Sequence, residues 1–306
     1  MSKIPTDLIK HALNGATMGT HWSALFFAPA NVDPVPIQTA LAKSVDLVDQ
    51  QMSTWKPDSD LMRLNRAPAG AWLDVPPELM DVLTQALEIG RLSDGAFDIG
   101  MGDAVRAWGF GAQDTDSAAI HTALAQPRLP AHELLQFDPN APKLRKIGAI
   151  DIDLSGIAKG YAVDQMIKTL ATFGITDTLV GLDGELRGHG RRPDGQLWTV
   201  AVEKPDYETR SPHSIIELDD SAIATSGDYR HWVNLGPLRL SHTMDPNRGG
   251  PLLQSPASVT VLAQSCMDAD AWATALMVAG REKGAALAET QGLTALFIDR
   301  DGESVR

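Results

Sequence analysis

Cysteine is almost missing from this chain: Cys266 is the one example in 306 residues. A disulfide framework is therefore excluded, and so is a cysteine-rich zinc or iron–sulfur site. Nothing near Cys266 in sequence would lower a thiol pKa, so it is expected to be buried and inert. Long apolar runs are missing too. No stretch reaches 18 consecutive apolar residues, so no membrane-spanning helix is expected. The opening MSKIPTDLIKHALNGATMGT has no apolar core and no cleavage signal of a secretory leader. A cytoplasmic location is the expectation, or a periplasmic one if a leader has been trimmed. Basic charge is in short supply, with 26 Lys and Arg against 39 Asp and Glu and a formal net charge of −13. That balance disfavours nucleic acid as a partner, because phosphate backbones are bound by concentrated Lys and Arg. Several phosphate, metal and nucleophile signatures are also lacking: no GxGxxG fingerprint, Walker A loop, HExxH zinc motif or GxSxG elbow occurs.

What is present is ordinary globular composition, 43% hydrophobic and 21% charged. The length suits one large domain or two intimate ones, with the loop-rich stretch 111–142 as the most plausible seam. Residues 15–30 read as a turn feeding a strand, with Trp22, Ala24 and Phe26 on one face. Helical spacing marks 35–52 (Ile37, Leu41, Val45, Val48) and 78–91 (Leu79, Val82, Leu83, Ala86, Leu87). Ser59 is placed to cap a helix before Leu61 and Leu64. A short helix is expected at 117–125, and strands at 143–148 and 149–154. The stretch 151–164, DIDLSGIAKGYAVD, reads as strand, tight turn and helix start, the helix running to about Phe173. Strands are expected in DTLVGL, LWTVAVEKP, SVTVLA and LTALFIDR, and helices over 267–279 and 280–291. SIIELDDSAIATSGDYR reads as a hairpin turning at Asp219-Asp220. Antiparallel pairs look numerous, so the fold class expected is α+β rather than α/β.

Five places could carry chemistry, and the first four each have a plain structural alternative. In MDADAWATALMVAG, Asp270 and Thr274 stand at i and i+4 on one helix face, hard oxygen donors of the kind Mg²⁺ prefers. The alternative has Asp268 capping the helix and Asp270 as a first-turn acid favoured by the dipole. In SHTMDPNRG, His242 precedes Asp245 by three residues and could move a proton; equally, Asp245 and Asn247 could simply hold a turn. Thr225, Ser226 and Gly227 could clasp a phosphate or close a turn. The glycines of GLDGELRGHG could let backbone approach a flat ligand or make hairpin turns. The turn before Lys159 points backbone N–H groups at whatever sits above it, which suits an anion.

Taken together and in order, MGTHWS (18–23), SDLMRLN (59–65), GAFDIG (95–100), DLSGIAKGYAVD (153–164), SAIATSGDYR (221–230), SHTMDP (241–246) and DADAWATALMVAG (268–280) resemble the ApbE family of FAD:protein FMN transferases. The resemblance runs over roughly residues 15–300. It implies an ApbE-like (T-fold-like) α+β fold with mixed or antiparallel sheets and packed helices, forming a single catalytic unit over 1–306. It implies Mg²⁺-dependent transfer of FMN from FAD to a threonine or serine hydroxyl of a target flavoprotein, with release of AMP. Asp270 and Thr274 match the metal pair, completed by a backbone carbonyl near Ala158. His242 and Asp245 match the His…Asp-Pro motif beside the reacting phosphate, with His242 as proton acceptor. Met18, Asn65, Asp98, Lys159, Gly184, Glu185 and Thr225 match positions lining FAD. Lys159 or Asp164 could instead hold the loop and its helix together. One departure is Asp183-Gly184, where relatives commonly carry two glycines. Rival functions on the same site are a Mg²⁺-dependent FAD pyrophosphatase and an FAD-storage protein without turnover.

Overall fold

The computed structural model describes residues 8–229, 232–235 and 238–305. Two strands, β1 (Leu8–Thr17) and β2 (Thr20–Pro29), are joined by the turn Met18-Gly19. Both turn residues have positive φ, 47° and 72°, the backbone twist that a two-residue hairpin loop requires. Trp22, Ala24 and Phe26 are buried together on one face of β2, as their alternation predicts. β1 carries no fully buried residue, which is why no periodicity marked it in the sequence. Helix α1 (Pro34–Met52) starts at its prolines, with Asp33 accepting the Val35 N–H. Helix α2 (Asp60–Arg66) is capped by Ser59, whose hydroxyl accepts the Met62 N–H at 3.1 Å. Then come β3 (Leu73–Asp74), α3 (Pro77–Leu92), α4 (Gly102–Ala107), α5 (Ser117–Ala125), α6 (Ala131–Leu134), β4 (Leu135–Phe137) and β5 (Lys143–Lys146).

The second half begins with α7 (Ala158–Thr172), β6 (Thr178–Leu182), β7 (Glu185–His189), β8 (Trp198–Glu203), β9 (Pro212–Leu218) and β10 (Ala222–Gly227). Short strands β11 (Trp232–Leu235), β12 (Leu238–Ser241), β13 (Met244–Asp245) and β14 (Gly250–Pro251) follow. β15 (Ser258–Ala263), α8 (Cys266–Ala279), α9 (Arg281–Gln291), β16 (Thr294–Ile298) and β17 (Ser304–Val305) close the chain.

The central sheet has eight strands in the order β1-β2-β6-β7-β10-β15-β16-β17, every neighbouring pair antiparallel. The α+β expectation is met. One face packs under α1, α7 and α8, where Phe26, Val180, Ala224 and Val259 join the helical stripes in the main core. On the other face the β8–β9 ribbon lays Trp198, Val200 and Leu218 over Ile223, Leu296 and Ile298. A third, smaller cluster ties α4 and α5 to the β12–β13 region through Trp108, Ala123, Leu240 and Met244.

Two expectations fail. Asp219-Asp220 is not a hairpin turn: β9 pairs with β8, whereas β10 pairs with β7 and β15. Asp220 instead turns the chain from the ribbon into the sheet with φ 45°, its carboxylate accepting the Gly190 N–H at 2.7 Å. β10 is apolar on both faces, so it belongs inside the large sheet rather than in a two-stranded ribbon. Residues 149–154 form no strand, and the backbone groups of 151–153 find other partners. Asp151 O accepts the Gly102 N–H and Asp153 N–H donates to Ile99 O. Ile152 N–H and O are both taken by the Asn65 side-chain amide, at 2.8 and 2.9 Å.

Candidate active site

The first turn of α7 meets the first half of α8. Gly160 N–H donates to Asp270 Oδ2 at 3.0 Å. A glycine is required there: a Cβ would lie 2.3 Å from the Cys266 carbonyl oxygen. One turn along α7, Asp164 accepts the Cys266 and Met267 N–H groups at 3.0 Å each and pairs with Arg187. The start of α8 is thus capped from a neighbouring helix as well as by its own Ser265, which accepts the Asp268 N–H. Ser265, not Asp268, is the cap. Asp268 accepts the Ser265 hydroxyl at 2.6 Å on one carboxylate oxygen and the Gln85 amide of α3 at 2.7 Å on the other.

Charge concentrates where α7 begins. Lys159 Nζ pairs with Glu185 at 2.8 Å and with Asp183 at 3.2 Å. Asp183 sits at φ 61°, a left-handed conformation that glycine adopts without strain, and it also accepts the Thr20 hydroxyl. Burial alone would lower the Lys159 pKa, but Glu185, Asp270 and Asp183 more than offset it and hold the ammonium above the usual lysine range. Asp270 is buried, and its carboxyl is pushed up to about 8, first by desolvation and then by Glu185, against the pull of Lys159 and the Gly160 N–H. Glu185 Oε2 is buried without a hydrogen-bond partner among the described residues. Thr274, one turn beyond Asp270, places its hydroxyl 3.1 Å from that of Ser226 on β10.

These groups open on a cavity of about 690 Å³. Lys159, Gly184, Glu185, Thr225, Asp270 and Thr274 line it, as do Asp98 and His242. Met18, Asn65, Ala158 and Asp245 are not among its lining residues. Met18 is in the β1–β2 turn and Ala158 is the first residue of α7, its N–H donating to Leu154 O. Asp245 Oδ1 accepts the Asn247 N–H and so builds its own turn. The Asn65 side-chain amide bonds both backbone groups of Ile152, and its backbone carbonyl accepts Lys146 Nζ. Asp98 gives one oxygen to the Gly100 N–H and the other to the Ala131 N–H; burial nevertheless pushes its pKa up. The Thr225 hydroxyl bonds Thr260 at 2.8 Å. His242 meets Phe110 edge-on with 6.3 Å between ring centroids.

One cavity group, Asp153, was not singled out from sequence. Asp153 has Oδ1 on the Ser155 N–H, while its buried Oδ2 has no partner among the described residues, and desolvation raises its pKa. Ser226 shares its hydroxyl bond with Thr274. Asp153 was visible only as an acid in an alternating run, whereas Ser226 belongs to the Thr225–Gly227 stretch that could clasp a phosphate or close a turn.

The sequence pattern of the ApbE family matches residues 18–297. The chain belongs to the ApbE family. ApbE-family likeness extends to curated relatives: the FAD:protein FMN transferase of Vibrio cholerae is 38% identical over 289 residues, covering 94% of this chain and 86% of the relative. That of Klebsiella pneumoniae is 33% identical, covering 96% and 85%. Among solved structures, the flavin transferase ApbE from Vibrio cholerae superposes with a TM-score of 0.86 at 35% identity, over 97% of this chain and 96% of that one. The apo form of the Pseudomonas stutzeri flavinyl transferase ApbE gives 0.84 at 34% identity, over 98% and 95%. The ApbE fold is therefore common to this chain and these relatives.

Proposed function

We propose that this chain transfers FMN from FAD to a threonine or serine hydroxyl of a partner protein, with Mg²⁺ and with release of AMP. It is an enzyme of the FAD:protein FMN transferase type, with FAD as substrate and a protein as acceptor. The observation that carries the reading is the meeting of Lys159, Glu185, Asp270 and Thr274 on the wall of a single cavity in an ApbE-family chain.

The residues present fit a hard divalent cation. Asp183, Glu185 and Asp270 surround the Lys159 ammonium, so acids outnumber the base there, and the Asp270 pKa is raised first by desolvation and then by Glu185. Asp270 and Thr274 supply carboxylate and hydroxyl oxygen, and the Ala158 carbonyl is the third donor proposed. Among the described residues no group of three His, Cys, Asp or Glu is set to hold a metal. That suits Mg²⁺, which takes one or two carboxylates and keeps several waters. When bound, the cation neutralises charge on the pyrophosphate.

The chain's own residues do the rest. Lys159, fixed by Glu185, presents a permanent positive charge to an anionic substrate. The rigid α7–α8 contact through Gly160 keeps Asp270 and Lys159 in register. His242, on the cavity wall, takes the acceptor's proton. The hydroxyl oxygen then bonds to the FMN phosphorus as the bond from that phosphorus to the bridging oxygen breaks, and AMP leaves with that oxygen.

Incubation with FAD, Mg²⁺ and the acceptor protein of the Vibrio cholerae relative, followed by intact mass, tests this. An acceptor heavier by FMN, with equimolar AMP, is expected. FMN and AMP released with the acceptor unmodified would replace transfer by hydrolysis; FAD bound but unchanged would point to storage.

A further inference from the structure

The reaction has a second substrate, and it is a polypeptide. Its hydroxyl has to reach the FMN phosphorus while FAD fills the first cavity, so it needs its own way in. A second cavity, of about 770 Å³, shares Asp98, Met101 and Pro246 with the first. Pro246 directly follows Asp245 in the loop that carries His242, so the two cavities meet beside the residue given the proton-accepting role. The far wall of the second cavity includes Gly148, Ala149 and Ile150. Among the described residues, the backbone N–H and C=O groups of these three make no hydrogen bond. The run lies between β5, which ends at Lys146, and the Asn65-held Ile152. It overlaps the start of 149–154, the segment whose sequence reads as a strand yet enters no ladder. Apolar side chains stand beside it: Ile147 is 55% exposed and Leu129, on the cavity wall, 59% exposed. Unpaired main-chain donors and acceptors next to exposed apolar side chains are what an incoming extended chain pairs with, backbone bonds giving affinity and side-chain contacts giving selectivity.

We propose that the second cavity is the acceptor channel, in which the target's Thr- or Ser-bearing segment docks as an extended chain along 148–150 and delivers its hydroxyl past Asp98 and Pro246. The proposal rests on FAD occupying the first cavity. A short segment of the target suffices for docking, because the cavity offers main-chain groups rather than a broad surface.

The test follows FMN transfer from FAD, by mass, into a set of short peptides that each carry one central Thr in randomised flanks. Wild type is compared with Ala149→Trp, which fills the channel from an exposed position, and with Leu129→Asp, which removes its apolar side. FAD affinity and the peptide-free breakdown of FAD to FMN and AMP report the first cavity separately. Wild type should modify a subset of the peptides. Both variants should lose at least about tenfold in kcat/KM for those peptides, through KM, with FAD affinity within about twofold of wild type. Variants that modify peptides as well as wild type would overturn the channel. Wild type that binds and breaks down FAD yet modifies no peptide would overturn it too, because a short extended segment would then not be what docks. Wild type that does not bind FAD would sink the transferase reading, and the channel with it. Variants that differ from wild type only in self-association would assign the face to a second copy of the chain, against the proposal.

Discussion

Gly160 and Asp270 meet across two helices, the Gly160 N–H donating to the Asp270 carboxylate at 3.0 Å. The bond joins the first turn of α7 to the face of α8 that carries Thr274. Any side chain at 160 would enter the Cys266 carbonyl at 2.3 Å and the Asp270 Cβ at 2.8 Å. Gly160→Ala should therefore separate the helices, costing about 1–3 kcal/mol of stability as overpacking does. Thermal unfolding and FAD turnover check it. A variant with wild-type melting temperature and turnover would mean that the α7–α8 contact is not rigid.

The Asp270 carboxyl, pushed up to about 8 by burial and by Glu185, sets a pH dependence for the metal-free protein. Its folded-state pKa lies above the ordinary 3.8, so the native state holds the proton more tightly than the unfolded chain. Metal-free stability should fall as pH climbs from that ordinary value towards about 8, and Asp270→Asn should remove the slope. A cation needs the ionised carboxylate, so Mg²⁺ binding should release a proton below about pH 8 and weaken as pH drops. Urea melts and calorimetry in buffers of different ionisation enthalpy measure both effects. Mg²⁺ binding without proton release would remove Asp270 from the ligand set.

Asp164 is buried, pairs with Arg187 and holds two N–H groups of α8. Asp164→Ala leaves a partly buried guanidinium and two helix-end donors without it, a loss expected to cost about 3–5 kcal/mol. Asp164→Asn should recover part of the loss, since an amide oxygen still accepts. A denaturant midpoint unchanged in the Ala variant would contradict this.

Asn65 satisfies both backbone groups of the buried Ile152. Asn65→Ala leaves them bare at about 1–3 kcal/mol each. The loop that leads to Lys159 should loosen as well, which hydrogen exchange at Ile152 and Asp153 would register as faster. Lost FAD affinity with unchanged exchange would instead make Asn65 a direct ligand contact.

Cys266 is fully buried, and desolvation, reinforced by Asp164, Glu185 and Asp270, raises its thiol well above the ordinary value. Native protein should resist iodoacetamide at pH 8 and react only after unfolding. Rapid labelling of the folded enzyme would show that α8 opens.

Much of the helical structure was legible. α1, α3 and α7 follow the apolar spacing, and α2 starts at Ser59, because a serine hydroxyl before an apolar run supplies a missing N-terminal acceptor. Asp270 and Thr274 share a face by helical period alone, and both reach the cavity wall. Strand partners were less legible. A strand's pattern says which face is buried but not which neighbour it pairs with, so β9 and β10 looked like each other's partners when each belongs to a different sheet. Residues 149–154 show the same limit from the other side: strand-like composition whose backbone, at 151–153, is held by Asn65 and by Ile99 and Gly102.

By itself the sequence determined where helices begin, which faces are apolar, and the ordered set of motifs that marks an ApbE-family chain. These follow from local chemistry, in caps, turns and periodicity, and need no knowledge of distant residues. Only the tertiary structure decided that Asp164 caps α8, that Lys159 is held by Asp183 and Glu185, that Asn65 serves Ile152, and that Asp153 keeps an oxygen unpartnered. Each of these joins residues far apart in the chain. Burial sets their energies, and burial exists only once the sheet and helices have closed on one another.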